Sequence, residues 1–367
     1  MEARETVLEI NLSDLTHNYN YLRSKVDPAV KMLAVIKAFA YGSDAVGVAK
    51  HLEALAIDYF AVAYAPEGVA LREAGIRTPI LVLHPQPINF DLLLQYDLEP
   101  SLYSQKIFKE FLAIAIEAGK QEYPVHIKCN SGLYRIGFAL DEIEVIEQEL
   151  EKFTNIKVVS ILSHLAASED MEQRDFTLNQ IRTFEEFSRR LVARLKYTPL
   201  LHCSNTSGIL NYPEAHFSMV RTGIGLYGFG NEEKFDKKLR PIASLKSMIS
   251  QIHELNTGES VGYNRGFVAV RKIRSATIPI GHADGIDRIY GHGKGYVTIS
   301  GKKAFILGNV CMDMIMVDVT DIRCQEGDEV IVFGKTATAE TLATAVGTIS
   351  YELITGIASR IRRQLID

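Results

Sequence analysis

Lys37 closes an apolar run, "MLAVI", and is followed by Ala-Phe-Ala, Tyr41 and Gly42. A charged amine at the end of a strand is ordinarily a structural lysine; at the mouth of a pocket it is a nucleophile that can attach a carbonyl compound covalently. Other apolar runs also end in residues able to do chemistry. His84 follows "ILVL", Lys128, Asn130 and Arg135 follow "VHI", and His164 follows "VVSILS". His202, Ser204, Asn205 and Thr206 follow "LL", and Arg221, Thr222 and Gly223 follow "SMV". That last group opens "RTGIGLYG", whose spaced glycines let backbone N–H groups approach an anion.

Residues that recur at run ends need a scaffold that gathers those ends. Eight short apolar runs, "MLAVI", "YFAVA", "ILVLH", "LEPSL", "VHIKC", "VVSILS", "LLHCS" and "SMVRTGI", alternate with helical patterns from residue 32 to about 225. Continuously apolar runs suit strands buried on both faces, and the gaps between them hold a crossover helix. The pattern predicts an α/β chain with an N-terminal (β/α)8 barrel of the TIM type, whose active site lies at the C-terminal strand ends. In "LSDLTHNYNYLRSKV", Ser13 or Asp14 is placed to cap a helix that buries Leu15, Tyr19 and Leu22. A lysine after the first barrel strand and an anion cradle after the last fit one cofactor, pyridoxal 5'-phosphate, which needs a covalent lysine, a phosphate site and a partner for its ring nitrogen. The glycines alone are a weak signal.

Beyond residue 232 the pattern changes. "NEEKFDKKLR" reads as a charged linker, and closely spaced strand-like pieces with glycine turns follow, "ASLKSMISQI" first among them. The expected organisation is a cofactor-binding barrel over 10–232 and a C-terminal, mainly β domain over 233–367, to which residues 1–9 add an edge strand. The final stretch reads as a short helix, a turn and a basic helix.

Composition narrows the function class. The 367 residues carry a net charge of −5 with both signs interspersed, and no Lys/Arg run forms a nucleic-acid or membrane footprint. Small molecules are the expected partners. The charged N-terminus and the absence of long apolar stretches predict a cytoplasmic location. The four cysteines are widely separated and the ten histidines form no ligand cluster, so neither a disulfide framework nor a metal site is expected.

"AVIKAFAYG" resembles the cofactor-attachment motif of the alanine racemases, and the similarity continues through "HIKCNSGLYRIGF", "SHLA", "HCSNTSG", "VRTGIGLYG", "ESVGYN", "GHADGIDR", "GNVCMD" and "SYELITGIASRIRR". The resemblance implies a pyridoxal-phosphate-dependent isomerase that interconverts L- and D-alanine for peptidoglycan, a barrel plus a β domain, and a homodimer with active sites shared between subunits. Lys37 matches the covalent lysine and one acid/base, serving the D-substrate. Tyr263 in "VGYN" matches the second, supplied by the other subunit for the L-substrate. Two groups flanking one carbon invert it without either having to travel. A phenol is a weak base unless donors or cations favour its phenolate, and His164 matches a histidine that hydrogen-bonds this tyrosine. Arg221 matches the arginine at the ring nitrogen, which an arginine leaves unprotonated.

Tyr41, Thr206, Gly223, Ile224 and Tyr351 match phosphate-binding positions, and His202 and Asn205 match supporting groups. Arg135 matches the arginine that contacts the phenolic oxygen and the substrate carboxylate, Met312 a backbone contact to substrate from the partner chain, and Lys128 a lysine carbamylated in many members. His164 and His202 can also be read as satisfied core histidines. Asn130, Ser131, Glu169, His282 and Asn309 depart from the common pattern, which keeps a broader amino-acid racemase acting on serine or basic amino acids as the alternative. A decarboxylase of similar architecture would place an acid where Arg221 stands, and a carrier without turnover would not need Tyr263.

Overall fold

The computed structural model describes residues 5–195 and 197–367. After a first strand β1 (Val7–Asn11) come eight parallel strands: β2 (Lys31–Val35), β3 (Tyr59–Val62), β4 (Ile80–Val82), β5 (Glu99–Leu102), β6 (Tyr123–Lys128), β7 (Ile156–Leu162), β8 (Leu200–His202) and β9 (Met219–Thr222). Each of the eight apolar runs is a strand. They are hydrogen-bonded in the order β8-β7-β6-β5-β4-β3-β2-β9. The last seam has no regular ladder; the Ser218 N–H donates to the Leu201 carbonyl (3.2 Å) and the Arg221 N–H to the Ser204 carbonyl (3.2 Å), closing the (β/α)8 barrel.

Helices cover the outside because each carries one apolar stripe. In Gln105–Glu117 the residues Ile107, Phe108, Phe111, Leu112 and Ala115 are buried, and the Ser104 hydroxyl caps the helix by accepting the Ile107 N–H. The first helix, Leu12–Arg23, buries Leu15, Tyr19 and Leu22 as expected. Its cap is Asn11, whose Oδ1 accepts the Asp14 N–H at 2.7 Å; the helix therefore starts before Ser13 and Asp14.

The C-terminal region is mainly β. Its strands are β10 (Ala243–Met248), β11 (Gln251–Leu255), β12 (Ser260–Val261), β13 (Phe267–Val268), β14 (Ile273–Ile278), β15 (Tyr296–Ile299), β16 (Lys302–Phe305), β17 (Ile315–Asp318), β18 (Glu329–Phe333) and β19 (Arg362–Ile366). A six-stranded sheet runs β16-β15-β18-β10-β1-β19, and a three-stranded sheet runs β11-β14-β17. Four local expectations are corrected here. "ASLKSMISQI" breaks at Ile249–Ser250 into two strands of different sheets, and the charged linker contains a helical turn, Glu233–Asp236. The terminal basic segment is the strand β19 rather than a helix, because β1 offers it a free edge to pair with in parallel, Val7 opposite Arg362 through Asn11 opposite Ile366. β1 is therefore an inner strand of its sheet, flanked by β10 and β19.

Candidate active site

The turn that follows β2 sets the geometry of Lys37. Ala38, Phe39, Ala40 and Tyr41 have φ of 52°, 56°, 51° and 54°, and Gly42 follows at 79°, so the helical turn Lys37–Tyr41 is left-handed. Each non-glycine residue in that conformation costs about 1–2 kcal/mol, so the surroundings must hold it. Glu67 does this from the helix after β3, Ala65–Glu73: its carboxylate accepts the Ala38 N–H (2.6 Å), the Ala63 N–H (2.7 Å) and the Tyr64 N–H (3.1 Å), tying the turn to the end of β3. From the other side Arg363 of β19 donates through Nη2 to the Gly42 carbonyl at 3.1 Å. A Cβ on Gly42 would lie 2.0 Å from the Ile354 carbonyl oxygen, so only glycine lets the C-terminal helix Ser350–Thr355 close over the turn.

Lys37 and Tyr41 open onto a cavity of about 500 Å³ at the C-terminal ends of the barrel strands. Lys128, Arg135, His164, Asn205, Thr206, Arg221, Gly223, Ile224 and Tyr351 line the same cavity, as does His84. Tyr351 reaches it from the C-terminal region. Lys37, Lys128, Arg135 and Arg221 make four cationic positions, and no Asp or Glu lies on the wall among the described residues. Such a cavity favours an anion strongly, because the low-dielectric walls leave the cations poorly screened.

The cations pay for one another electrostatically. Burial, then Arg135, pushes the Lys37 amine below its usual range, against a smaller opposing effect of Glu67. Burial, then Arg221 and Arg135, drives the Lys128 amine far down, which favours a neutral amine. Arg221 is lowered by burial to about 10 and keeps its charge at neutral pH.

Arg221 is held by its two terminal nitrogens. Nη1 donates to Nδ1 (2.8 Å) and the carbonyl (3.1 Å) of His202; Nη2 donates to the carbonyls of Ser163 (2.7 Å) and Cys203 (3.1 Å) and to Nδ1 of His164 (3.1 Å). The Nε–H is the one guanidinium donor with no protein partner among the described residues. His202 is fully buried behind Arg221 and does not reach the cavity wall. Burial, then the Arg221 charge, holds both His164 and His202 well below their usual range, so both are neutral.

At the opposite end of the cavity, Thr206 Oγ1 accepts the N–H groups of Gly223 (3.3 Å) and Gly225 (3.2 Å), which leaves its own proton free to donate elsewhere. Asn205 Oδ1 accepts from Gly208 N–H (2.9 Å) and Ser168 Oγ (2.7 Å), fixing the start of the helix Thr206–Asn211. A Cβ on Gly223 would sit 2.5 Å from Tyr41 Oη, so this glycine keeps the hollow open. The Tyr41 ring stacks on Tyr227 at 4.5 Å. Burial pushes Tyr351 up to about 12, keeping its hydroxyl a donor.

Tyr263 and Met312 are elsewhere. They line a separate open groove on the β region, with Tyr263 74% and Met312 58% exposed. Asn309 fixes the Tyr263 backbone by donating from Nδ2 to its carbonyl at 3.0 Å. A single chain thus brings to one cavity eleven of the residues that the resemblance assigns, together with His84, buries His202 behind it and leaves Tyr263 and Met312 outside. Glu67, Arg363 and the bond from Asn309 to the Tyr263 carbonyl were not read from the sequence. For Glu67 a signal existed, since "YAPEG" has proline and glutamate at the second and third positions of a helix, the signature of a capping box.

The cavity, with basic side chains and no carboxylate among the described residues on its wall, an amine, a hydroxyl-and-glycine hollow and an idle Nε–H, fits an aromatic phosphate bearing an aldehyde. Comparison with known proteins agrees. The family model for the alanine racemase N-terminal domain matches residues 10–230 and that for the C-terminal domain residues 242–365. The chain is 36% identical to "Alanine racemase 2" of Caldanaerobacter subterraneus subsp. tengcongensis, covering 99% of this chain and 95% of that protein. It superposes on the alanine racemase of Clostridium difficile with a TM-score of 0.93 at 35% identity, covering 100% and 97%. It superposes likewise on the Bartonella henselae alanine racemase with covalently bound pyridoxal phosphate, with a TM-score of 0.89 at 29% identity, covering 99% and 100%. On the match of both family models and on identity along its whole length, the chain belongs to the alanine racemase family.

Proposed function

We propose that this protein is an isomerase that interconverts L- and D-alanine with pyridoxal 5'-phosphate in the barrel cavity, supplying D-alanine for peptidoglycan in the cytoplasm. The observation that carries this reading is the cavity wall itself: four basic side chains, no carboxylate among the described residues, and the amine of Lys37 on the same cavity as the Thr206–Gly223 hollow. When bound, the cofactor supplies the conjugated, electron-withdrawing system that acidifies the substrate Cα–H.

The residues then have distinct tasks. Lys37 would hold the cofactor covalently through Nζ, and its lowered basicity favours the neutral amine that attachment needs. Thr206, Gly223, Ile224, Tyr41 and Tyr351 hold the phosphate, with Asn205 fixing the helix start behind them. The Arg221 Nε–H, without a protein partner among the described residues, would donate to the ring nitrogen and leave it unprotonated, which would limit charge withdrawal. Arg135 orients the substrate carboxylate and the cofactor's phenolic oxygen. Lys128, neutral and beside Arg135, is suited to carbamylation, which would place an anion against that arginine.

Inversion at Cα needs a proton acceptor on each face. Lys37 Nζ serves one face, and Tyr263 of the partner subunit serves the other; the separation of the two residues within one chain supports a homodimer with shared sites. His164 Nδ1 accepts from Arg221, so its proton sits on Nε2 and can donate to the phenolic oxygen of the partner subunit's Tyr263. Met312 of the partner subunit supplies the backbone contact to substrate. Among the described residues no helix is long and apolar enough to cross a membrane. The test is racemisation of L-alanine followed by circular dichroism, alongside serine, lysine and arginine. Turnover highest with alanine and abolished in Lys37→Ala is expected; preference for serine or a basic amino acid would give the broader racemase instead.

A further inference from the structure

The barrel interior below the cavity holds a row of polar side chains that the proposed chemistry does not use. Five consecutive strands, β5 to β9, each give one inward residue: Glu99, His126, Ser160, His202 and Arg221. All are buried, and each touches the next. Arg221 Nη1 is 2.8 Å from His202 Nδ1, His202 Nε2 is 2.9 Å from Ser160 Oγ, Ser160 Oγ is 2.5 Å from His126 Nδ1, and His126 Nε2 is 2.8 Å from Glu99 Oε2. Tyr59 on β3 adds a hydroxyl donor to Glu99.

With neutral histidines and an ionised Glu99, the two ends determine every proton between them. Arginine has no acceptor, so His202 Nδ1 must carry a lone pair and Nε2 the proton; a carboxylate has no donor, so His126 Nε2 carries its proton and Nδ1 the lone pair. Ser160 then accepts from His202 and donates to His126. Reversing any one link would set N–H against N–H at Arg221 or lone pair against lone pair at Glu99.

We infer that Glu99 is a remote positioning residue for Arg221, the terminus of a one-way hydrogen-bond relay from Arg221 through His202, Ser160 and His126. The relay fixes both histidines as neutral Nε2–H tautomers. It also orients the guanidinium through Nη1, while Nη2 is held by Ser163, Cys203 and His164, which leaves Nε–H for the cavity. A carboxylate at the far end is a stronger acceptor than a neutral group and polarises the chain of bonds without placing any anion beside the ligand. Its consequence for turnover rests on the function proposed above; the proton arrangement does not.

The experiment is nitrogen NMR of the full-length protein labelled with 15N-histidine, in the wild type, Ser160→Ala and Glu99→Gln, with alanine racemisation measured on the same cofactor-loaded samples. The wild type is expected to show His126 and His202 as neutral Nε2–H tautomers, and either one protonated at Nδ1 overturns the relay. Ser160→Ala is expected to shift the His202 Nε2 resonance and lower kcat about tenfold, the scale of one lost buried hydrogen bond, with KM for alanine within about twofold. Unchanged kcat, or a loss confined to KM, overturns the role. Should Ser160→Ala not fold, Glu99→Gln decides: it keeps an acceptor but not the charge, and is expected to retain both tautomers while lowering kcat at least about threefold. A wild type that does not racemise alanine defeats the proposed function and leaves the tautomer result to stand by itself.

Discussion

Arg221 donates from Nη1 to Nδ1 of His202 over 2.8 Å, and this contact ties the residue facing the cavity to the barrel interior. Arg221→Lys keeps one charge but cannot reproduce a fork bonded to His202, Ser163, Cys203 and His164 at once. Two or more buried bonds are lost, each worth about 1–3 kcal/mol when a partner is left unsatisfied. Racemisation by the lysine variant is expected to fall about 100-fold or more, and steady-state rates in both directions check it.

Glu67 restrains the left-handed turn that carries Lys37. Glu67→Ala leaves the amides of Ala38, Ala63 and Tyr64 without their acceptor and is expected to destabilise the protein by about 1–3 kcal/mol. It is also expected to weaken pyridoxal phosphate binding, because Lys37 begins the freed turn. Denaturant titration and cofactor absorbance measure the two effects separately.

Gly223 is predicted to tolerate no side chain. The Cβ of Gly223→Ala meets Tyr41 Oη at 2.5 Å and intrudes on the hollow beside Thr206, so cofactor affinity should drop at least about tenfold. Adding Tyr41→Phe removes the hydroxyl in the way and should recover stability but not affinity, since it also deletes a phosphate donor. Equilibrium binding and thermal melts of the single and double variants distinguish these effects.

Lys128 gives a pH prediction for the cofactor-free, CO₂-free protein. Burial, then Arg221 and Arg135, lowers its folded-state pKa, so the unfolded chain binds more protons and stability rises with pH between the folded value and the ordinary lysine value. Lys128→Met removes that penalty. The variant should melt higher than the wild type at pH 7, with the difference shrinking as pH rises through the lysine range. Melting curves at pH 7 and pH 10 in degassed buffer test this, and a wild type that is the more stable at pH 7 contradicts it.

The sequence made the barrel legible because its strands are buried on both faces and read as unbroken apolar runs, and it made the cavity legible because barrel sites gather at strand ends. It concealed what depends on neighbours in space. The segment around Arg362 carries a helix-like charge pattern, yet an open edge on β1 makes it a strand. Positive φ at Ala38 through Tyr41 has no local signal, since these residues do not favour it and only Glu67, Arg363 and the packed helix at Ile354 enforce it. Glu99 and His126 lie inside apolar strands, away from the ends where chemistry was sought, and His202 reads the same whether it touches a ligand or stands behind Arg221.

The central claim is that Lys37 and Tyr263 act on one substrate from different subunits, and subunit mixing tests it most directly. Lys37→Ala and Tyr263→Phe homodimers, each inactive, are unfolded together, refolded at equal concentration with pyridoxal phosphate and assayed for racemisation. Half the dimers are then mixed and each has one intact site of two, so about one quarter of wild-type activity should return. Activity that stays at the level of the parent variants would contradict the shared site.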